Sequence, residues 1–358
     1  MKEARGSSWS TRGWLALGLG VVAGAVGCSD VKRETVDRVT PHDSTTWTSR
    51  SDCEDLLASR SQVSRPPRIG TWNVRYFPDS IEGEQTDPDK ATDVEWVACA
   101  IASLDVDILV VQEFKNSPTG LAKQQELVER LNELTGGDWR LELDQCTPTD
   151  VQHPGFLFDS ARVTGEEFRE IPSLNPDPVC SNAISPGFGG YFSIAGGPDF
   201  HLIAVHGATG DSPPSFEKRA QITAALETVA ADAYAINPDT DIIFAGDFNT
   251  VGCASCDPVV SNEDEIAEMK QSVAAFDPSL TLLPTTENCT RIADDMPHID
   301  HVLAAATMAE VPEDSVVHVS GICEEVSCER QVAWLEDAYD RLSDHCPLVL
   351  DLAVDDDD

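Results

Sequence analysis

The chain has 358 residues, 41% of them hydrophobic, which is enough to bury one large core or two smaller ones. Its 63 acidic residues against 24 lysines and arginines give a formal net charge of −39, which excludes a protein that attracts polyanions at long range. We interpret this charge as a solubility or salt adaptation. A nucleic-acid or phospholipid substrate would have to be captured locally, with bound divalent cations offsetting the repulsion.

The first 28 residues have the pattern of a signal peptide. Three basic residues precede an apolar stretch over residues 14–26, which is too short for a comfortable membrane span. The stretch ends in AVGC, where Cys28 after small residues resembles a bacterial lipoprotein cleavage site, although Ala25 stands where that site usually has leucine. We expect an exported protein, either secreted or held in the bacterial cell envelope by a lipid on Cys28.

The remaining chain divides by composition into three parts. Residues 29–65 are polar and rich in Ser, Thr, Asp and Arg, which predicts a linker. Residues 66–354 carry the patterns of one folded domain, and residues 355–358 are an acidic tail. We expect a monomer whose contact with a membrane is limited to the lipid anchor.

Short apolar runs alternate with helical patterns from Arg68 onward. The predicted strands are Arg68–Val74, Asp107–Gln112, Gly155–Phe158, Gly190–Ile194, His201–Val205, Asp241–Ala245, His298–Leu303 and Pro347–Leu350. The predicted helices are Ala91–Ser103, Leu121–Thr135, Ser215–Ala235 and Glu263–Ala275. This alternation predicts an α/β fold with two central sheets covered by helices.

Polar side chains end, or nearly end, five of the predicted strands, and two more lie in the closing motif RLSDHCPLV. They are Asn73, Glu113, His206, Asp247, Asn249, Asp300, Asp344 and His345. Each has an ordinary structural explanation by itself, such as a turn, a helix cap or a satisfied half-buried histidine. Their shared placement at the ends of buried strands favours a common site.

The spacing of these residues indicates a metal-assisted site. Asp247 and Asn249 are two apart in an extended segment, so they project to the same face. Hard divalent cations prefer carboxylate oxygens, water and phosphate. Glu113 and Asp344 suit the role of metal ligands, with Asn73 as a neutral auxiliary ligand.

The cysteines support export. Eleven are present, and leaving Cys28 aside gives an even number, which is typical of disulfides in an exported chain. The disulfide candidates near the polar motifs are Cys253, Cys256, Cys289, Cys323 and Cys328. The spacings of the 253–256 and 323–328 pairs would also suit zinc, which we consider the weaker alternative in an oxidising compartment.

The motifs GTWNV, VVQEF, VHGATG, GDFN, HIDHV and SDHCPLV, in this order, resemble the endonuclease/exonuclease/phosphatase superfamily over residues 66–353. The resemblance implies a four-layered sandwich of two mostly antiparallel mixed β-sheets flanked by helices. It also implies cleavage of phosphoester bonds with Mg²⁺, or with Mn²⁺ or Ca²⁺. The segment HGATGDSP is most similar to the secreted deoxyribonuclease-I branch, which implies that Cys253 or Cys256 pairs with Cys289.

The resemblance also implies roles for the other polar residues. His345, oriented by Asp300, would transfer a proton around the attacking water, and His206 would act on the opposite side of the phosphoryl group. Asp247 and Asn249 would position the nucleophile and the phosphate oxygens. Which histidine is the general base stays open.

Three functions follow from these observations. The leading hypothesis is an exported, divalent-metal-dependent phosphodiesterase, specifically an endonuclease that acts on nucleic acid. The second is the same fold acting on phospholipid, as in sphingomyelinases, or on phosphomonoesters, because the chain lacks a basic patch interleaved with aromatic residues. The third is a non-catalytic surface protein, against which the complete set of acids and histidines argues.

Overall fold

Two six-stranded sheets form the centre of the structure, a computed structural model that describes residues 48–59, 65–145, 152–175, 187–292, 298–324 and 336–354. The predicted signal peptide with Cys28, the acidic tail and Cys328 lie outside these residues. The described strands are β1 Arg68–Asn73, β2 Ile108–Lys115, β3 Trp139–Leu143, β4 Gln152–Asp159, β5 Val163–Ile171, β6 Gly187–Ile194, β7 Asp199–His206, β8 Ile242–Asp247, β9 Leu280–Leu282, β10 Asp300–Ala305, β11 His318–Val319 and β12 Leu348–Asp351.

Each sheet has one parallel strand pair near its middle. The first sheet has the order β11-β12-β1-β2-β4-β3 and the second has the order β5-β6-β7-β8-β10-β9. The pairs β1–β2 and β7–β8 are parallel, and the other neighbours are antiparallel. Strands β1 and β2 contact β7 and β8 across the two sheets, so the polar ends of these central strands lie on the same side of the sandwich.

Helices cover the outer faces of both sheets. The described helices are α1 Arg50–Ser59, α2 Val94–Leu104, α3 Pro118–Thr135, α4 Pro213–Ile236, α5 Asn262–Ala274 and α6 Glu336–Arg341. Helices α2 and α3 pack on each other beside the first sheet, and α4 packs on α5 beside the second. The central strands β1, β8 and β10 are buried at every residue, because one face meets the opposite sheet and the other meets helices.

The prediction of a four-layered sandwich of two mixed sheets flanked by helices is confirmed. All eight predicted strands and four predicted helices are present, with ends shifted by a few residues. Strands β3, β5, β9 and β11 and helices α1 and α6 were not predicted. No helix among the described residues is long and apolar enough to cross a membrane.

Helix α1 lies inside the segment that the sequence predicted as a linker. Its Cys53 is fully buried and forms a disulfide with Cys99 of α2. Residues 50–59 therefore belong to the folded body. The polar sequence of this segment does not indicate a packed helix, because the buried surface of the helix is centred on one cysteine.

The expected pairing of Cys253 or Cys256 with Cys289 is wrong. Cys253 and Cys256 form a disulfide with each other across a tight turn that brings their Cα atoms to within 5.4 Å. The alternative that this pair binds zinc is therefore also wrong. Cys289 is also disulfide-bonded. Cys323 bonds to Cys346, the residue directly after His345.

Candidate active site

The polar strand ends predicted from the sequence meet at one edge of the two sheets. Asn73 ends β1, Glu113 lies near the end of β2, and His206 and Asp247 end the parallel pair β7–β8. Asp300 begins β10, which runs antiparallel to β8 and pairs Asp300 with Asp247. Parallel strands place their carboxyl ends at one edge, and the antiparallel neighbours contribute their beginnings there.

Glu113 is directed toward this edge by an irregularity in β2. The pairing of β2 with β4 shifts register between Val111 and Phe114, and Glu113 has a positive φ of 68°. A bulge of this kind changes the direction of a side chain, and a left-handed glutamate costs on the order of 1 kcal/mol or more. Glu113 Oε2 accepts a hydrogen bond from the Tyr76 backbone N–H at 2.9 Å, which holds the carboxylate in place.

Asn73 joins the two sheets at the site. Its Nδ2 donates to Glu113 Oε1 and to Asp247 Oδ2, each at 3.0 Å. Its Oδ1 accepts from the Arg75 backbone N–H at 3.0 Å. Asn73 is fully buried and bridges two carboxylates as a donor, so its predicted role as an auxiliary metal ligand stays a prediction.

The end of β8 brings Asp247 and Asn249 together, but through a turn and not through extended geometry. Asp247 Oδ1 accepts from the Asn249 backbone N–H at 2.8 Å, and Asn249 has a positive φ of 53°. Gly246 permits the close approach of β7, because a Cβ there would lie 2.0 Å from the Val205 carbonyl oxygen. Burial raises the pKa of Asp247, and Asp300 adds to this increase, while His345 and His206 oppose it.

His206 lies between two acids of the site. Its Nε2 is 3.6 Å from Glu113 Oε1 and 3.8 Å from Asp247 Oδ2. Its buried Nδ1 has no hydrogen-bond partner among the described residues. His153 of β4, by contrast, pairs with Asp144 through Nδ1 at 3.0 Å.

His345 and Asp300 form a buried pair. His345 Nδ1 is 3.0 Å from Asp300 Oδ2, and His345 Nε2 is 3.7 Å from Asp247 Oδ2. Burial opposes the charge on the imidazole, but the carboxylates of Asp300, Asp344 and Asp247 together outweigh it and raise the pKa of His345 to about 10. Because Nδ1 faces Asp300, the ring is oriented with Nε2 toward the centre of the site.

Asp344 is bound by arginine. Its Oδ2 accepts from Arg291 Nε at 3.0 Å and Nη2 at 2.9 Å, and its Oδ1 lies 4.0 Å from Arg75 Nε. Burial opposes the charge of this carboxylate, but His345, Arg291 and Arg75 lower the pKa of Asp344. Its predicted role as a metal ligand stays a prediction.

The remaining carboxylates and histidines fit a divalent cation. Glu113, His206 and Asp247 each offer a ligand atom within 4.8 Å of the others, and Asp247, Asp300 and His345 form a second group of this kind. Asp247 belongs to both groups. Several buried acids so close together need a compensating positive charge, and oxygen-rich donor sets favour Mg²⁺, Mn²⁺ or Ca²⁺.

Several residues of the site were not singled out from the sequence. Arg75 stacks on the ring of Tyr339 at 4.1 Å, and Arg291 binds Asp344. Ser343 Oγ donates to the Asn73 carbonyl at 2.7 Å and accepts from the His345 backbone N–H at 3.0 Å. In the sequence, Arg75 can be associated with the site through its position two residues after Asn73. Nothing in the sequence around Arg291 indicates that it belongs to the site.

Comparison with known proteins agrees with this geometry. The model of the Endonuclease/Exonuclease/phosphatase family matches residues 70–345. No curated protein sequence matches the chain.

Similar solved structures include an endonuclease/exonuclease/phosphatase from Bacteroides vulgatus, with a TM-score of 0.52 and 15% identity over 82% of this chain and 100% of that one. The human Nocturnin catalytic domain with a bound sulfate anion has a TM-score of 0.52 and 15% identity over 84% of this chain and 99% of that one. A mannosyl-6-phosphatase from Bacteroides thetaiotaomicron has a TM-score of 0.50 and 16% identity over 80% of this chain and 99% of that one. At these identities the likeness shows the fold alone.

Proposed function

The chain belongs to the endonuclease/exonuclease/phosphatase family of divalent-metal-dependent phosphoester hydrolases, and we propose that it is a phosphodiesterase whose leading substrate class is nucleic acid. The observation that carries the proposal is the convergence of two histidines, His206 and His345, and four acids from five separate segments at one edge of the sandwich. This arrangement suits hydrolysis by an activated water.

Glu113 and Asp247 would hold the cation, with His206 beside them. A bound divalent cation supplies positive charge to the phosphate and to the attacking water. Asn73 keeps the two carboxylates at a fixed spacing through its two hydrogen bonds. Asn249 Nδ2 donates to the Gly207 carbonyl at 3.0 Å, which orients the Asn249 amide beside the phosphate position that we propose.

His345 would transfer the proton at the attacking water through Nε2. Asp300 holds Nδ1 and stabilises the imidazolium, in the manner of other acid–histidine pairs. His206 would stabilise the opposite side of the phosphoryl group. Asp300 begins β10 of the second sheet and His345 lies in the segment before β12 of the first sheet, so the pair also links the two sheets.

The described rim of the cleft has a small cationic and aromatic surface. Arg75, Arg291 and Tyr339 lie together beside Asp344. Guanidinium groups bind phosphate well and aromatic rings stack on bases, so this surface supports a nucleotide-containing substrate.

The direct test is hydrolysis of DNA and RNA by the purified protein with Mg²⁺, Mn²⁺ or Ca²⁺. We expect cleavage that chelation abolishes and that Asp247→Ala or His345→Ala reduces by on the order of 10² or more. An exposed variant, Asp277→Asn, is the control. Cleavage that survives in both active-site variants would show that a contaminating nuclease is responsible.

Phosphomonoesters and phospholipid diesters are the second candidate class. The net charge of −39 disfavours a long polyanion, and two rim arginines are enough for a single phosphate group. A panel of a sugar phosphate, a nucleoside monophosphate and sphingomyelin vesicles distinguishes these substrates. Release of inorganic phosphate without cleavage of any diester would make the protein a phosphatase.

We also propose that the protein is exported, as a lipoprotein or in secreted form. The disulfides Cys53–Cys99, Cys253–Cys256 and Cys323–Cys346 support an oxidising compartment. Expression of the full chain and of Cys28→Ala in a bacterial host, followed by fractionation, tests this. Lipidation predicts membrane-associated protein that Cys28→Ala releases, whereas recovery of the full chain in the cytoplasm would contradict export.

A further inference from the structure

We propose that a buried ion pair between Arg219 of α4 and Glu265 of α5 is a positioning element that fixes the two catalytic loops, residues 206–210 and residues 247–252. The inference rests on the proposed function of the same site. Arg219 is 3% exposed and Glu265 is 6% exposed. Neither residue contacts the reacting groups, so both would act through the loops.

All five N–H groups of the Arg219 side chain are used. Nε donates to Glu265 Oε1 at 2.7 Å, and Nη2 donates to Glu265 Oε2 at 3.0 Å and to the Gly252 carbonyl at 2.7 Å. Nη1 donates to the carbonyls of Ala208 at 3.0 Å and Gly210 at 2.7 Å. The guanidinium therefore binds both loops with one rigid, planar group.

Glu265 completes the connection. Its Oε2 accepts a hydrogen bond from the Gly252 backbone N–H at 2.7 Å, so both polar groups of Gly252 are bound to the ion pair. Gly252 has a positive φ of 76°, and a Cβ there would lie 2.5 Å from the Val260 carbonyl oxygen. The backbone conformation is therefore restricted at Gly252, the residue that the ion pair holds.

The two loops touch each other directly at the active-site end. The Gly207 backbone N–H donates to the Asp247 carbonyl at 2.7 Å, and a Cβ on Gly207 would lie 2.2 Å from the Phe248 carbonyl oxygen. His206 directly precedes Gly207 in the chain, and Asn249 directly follows Phe248. A shift of either loop would move a catalytic side chain.

Apolar packing does not supply this restraint by itself. A cavity of about 290 Å³ lies between α4 and α5, lined by Arg219, Glu265, Phe248, Met269 and Phe276 among others. Because side chains beside a cavity lose packing contacts, hydrogen bonds hold α5 to the loops: those of the ion pair, and the one that Asn262 Nδ2 of α5 donates to the Thr250 carbonyl. A buried ion pair costs desolvation energy, and in this proposal its role is to select one loop conformation.

Hydrogen exchange and kinetics of Arg219→Lys and Glu265→Gln test the proposal. Lysine keeps the charge but not the planar fork, and glutamine keeps the shape but not the charge. We expect faster amide exchange in residues 206–210 and 247–252 of both variants. We also expect kcat to fall by on the order of 10- to 100-fold with little change in KM, because misplaced groups affect the chemical step.

Arg68→Lys is the matched control. Arg68 is also buried, pairs with Asp351 and donates to the Leu104 carbonyl, but it begins β1 at the opposite end from Asn73. We expect a lower Tm for this variant, with unchanged loop exchange and unchanged kcat.

Unchanged exchange of both loops in Arg219→Lys and Glu265→Gln would overturn the proposal. So would faster exchange with an unchanged kcat, which would make the pair purely structural. If the wild-type protein hydrolyses no phosphoester, the proposed function fails, while loop exchange still decides whether the pair fixes the loops. If Arg219→Lys does not fold, Glu265→Gln carries the same test.

Discussion

The pKa of His345 in the active site depends on neighbouring carboxylates. The free side chain titrates near 6.5, and the folded protein raises the pKa to about 10. The charged imidazole therefore stabilises the fold fully below about pH 6.5, and this contribution is lost as the pH rises through 10. A cation bound beside Asp247 would repel the positive charge of the His345 imidazolium.

The first prediction is that Asp300→Asn lowers the pKa of His345. The substitution removes the carboxylate that lies 3.0 Å from Nδ1 but keeps its shape. We expect NMR titration of the metal-free protein to show His345 protonated at pH 8 in the wild type and titrating at a lower pH in the variant. Asp277→Asn, an equal charge change on an exposed residue, should leave the titration unchanged. A wild-type pKa near 6.5 would contradict the prediction.

The second prediction concerns Asp344, whose pKa Arg291 helps to lower. A carboxylate with a lowered pKa contributes stability above its unfolded pKa of about 3.9 and loses it as the pH falls through the folded pKa. Arg291→Met should raise the pKa of Asp344 and move acid unfolding to higher pH, as followed by fluorescence.

The exposed pair Arg140–Asp138 provides the comparison for this substitution. Their side chains are 61% and 62% exposed, so water screens the interaction. Arg140→Met should leave acid unfolding almost unchanged. Equal shifts in the two variants would show that net charge, and not the pair with Asp344, governs the transition.

At the scale of elements, the sequence predicted what is buried and regular. Strand β8, IIFAGD, begins with a continuous apolar run and is buried at every residue, and the apolar run predicts the strand. Strand β5, VTGEEFREI, was not found, because most of its residues are at least partly exposed and its register with β6 shifts between Glu166 and Arg169. The sequence pattern of a segment does not reveal an exposed strand that is defined by its pairing with a neighbouring strand.

The same limit applies to the active site. The residues found from the sequence lie in strand-end motifs, whereas Arg291 binds Asp344 53 residues away and Arg219 binds Glu265 46 residues away. The sequence also suggested that Asp247 and Asn249 share a face of an extended strand. The positive φ of Asn249 shows a turn in its place.

The third prediction separates two disulfides by their effect on catalysis. Removing Cys323–Cys346 or Cys53–Cys99 by paired alanine substitutions should cost about 2–4 kcal/mol of stability each. The separation is 46 residues for Cys53–Cys99 and 23 for Cys323–Cys346, so the loop model gives the former the larger loss. The loss of kcat should instead be larger when Cys323–Cys346 is removed, because Cys346 directly follows His345.

The measurements for this prediction are thermal unfolding and kcat at a temperature where both variants are folded. We expect reduced kcat for the Cys323/Cys346 variant and wild-type kcat for the Cys53/Cys99 variant. Equal loss of kcat in the two variants would mean that the disulfide near His345 has no local role.

For the whole molecule, the active site depends on the packing of one sheet against the other. Asn73 and Glu113 come from the first sheet, whereas His206, Asp247 and Asp300 come from the second. The hydrogen bond from Asn73 Nδ2 to Asp247 Oδ2 crosses between them. A slip between the sheets would therefore move these side chains relative to one another.

The fourth prediction follows from the net charge of −39. Repulsion between this charge and DNA acts over about 30 Å at 0.01 M salt and about 8 Å at 0.15 M salt. With the divalent cation kept saturating, kcat/KM for DNA should rise as monovalent salt increases across this range. A basic nuclease shows the opposite trend, because each phosphate contact releases counterions whose benefit falls with salt.

A small monoanionic diester is the control substrate for this prediction, because it carries one charge and feels little long-range repulsion. Its kcat/KM should stay nearly constant over the same salt range, so that the ratio of the two values isolates the long-range field from any effect on the active site. If kcat/KM for DNA falls with salt while the small diester is unaffected, local contacts such as those of Arg75 and Arg291 dominate DNA capture. Repulsion by the rest of the molecule would then be irrelevant to the reaction.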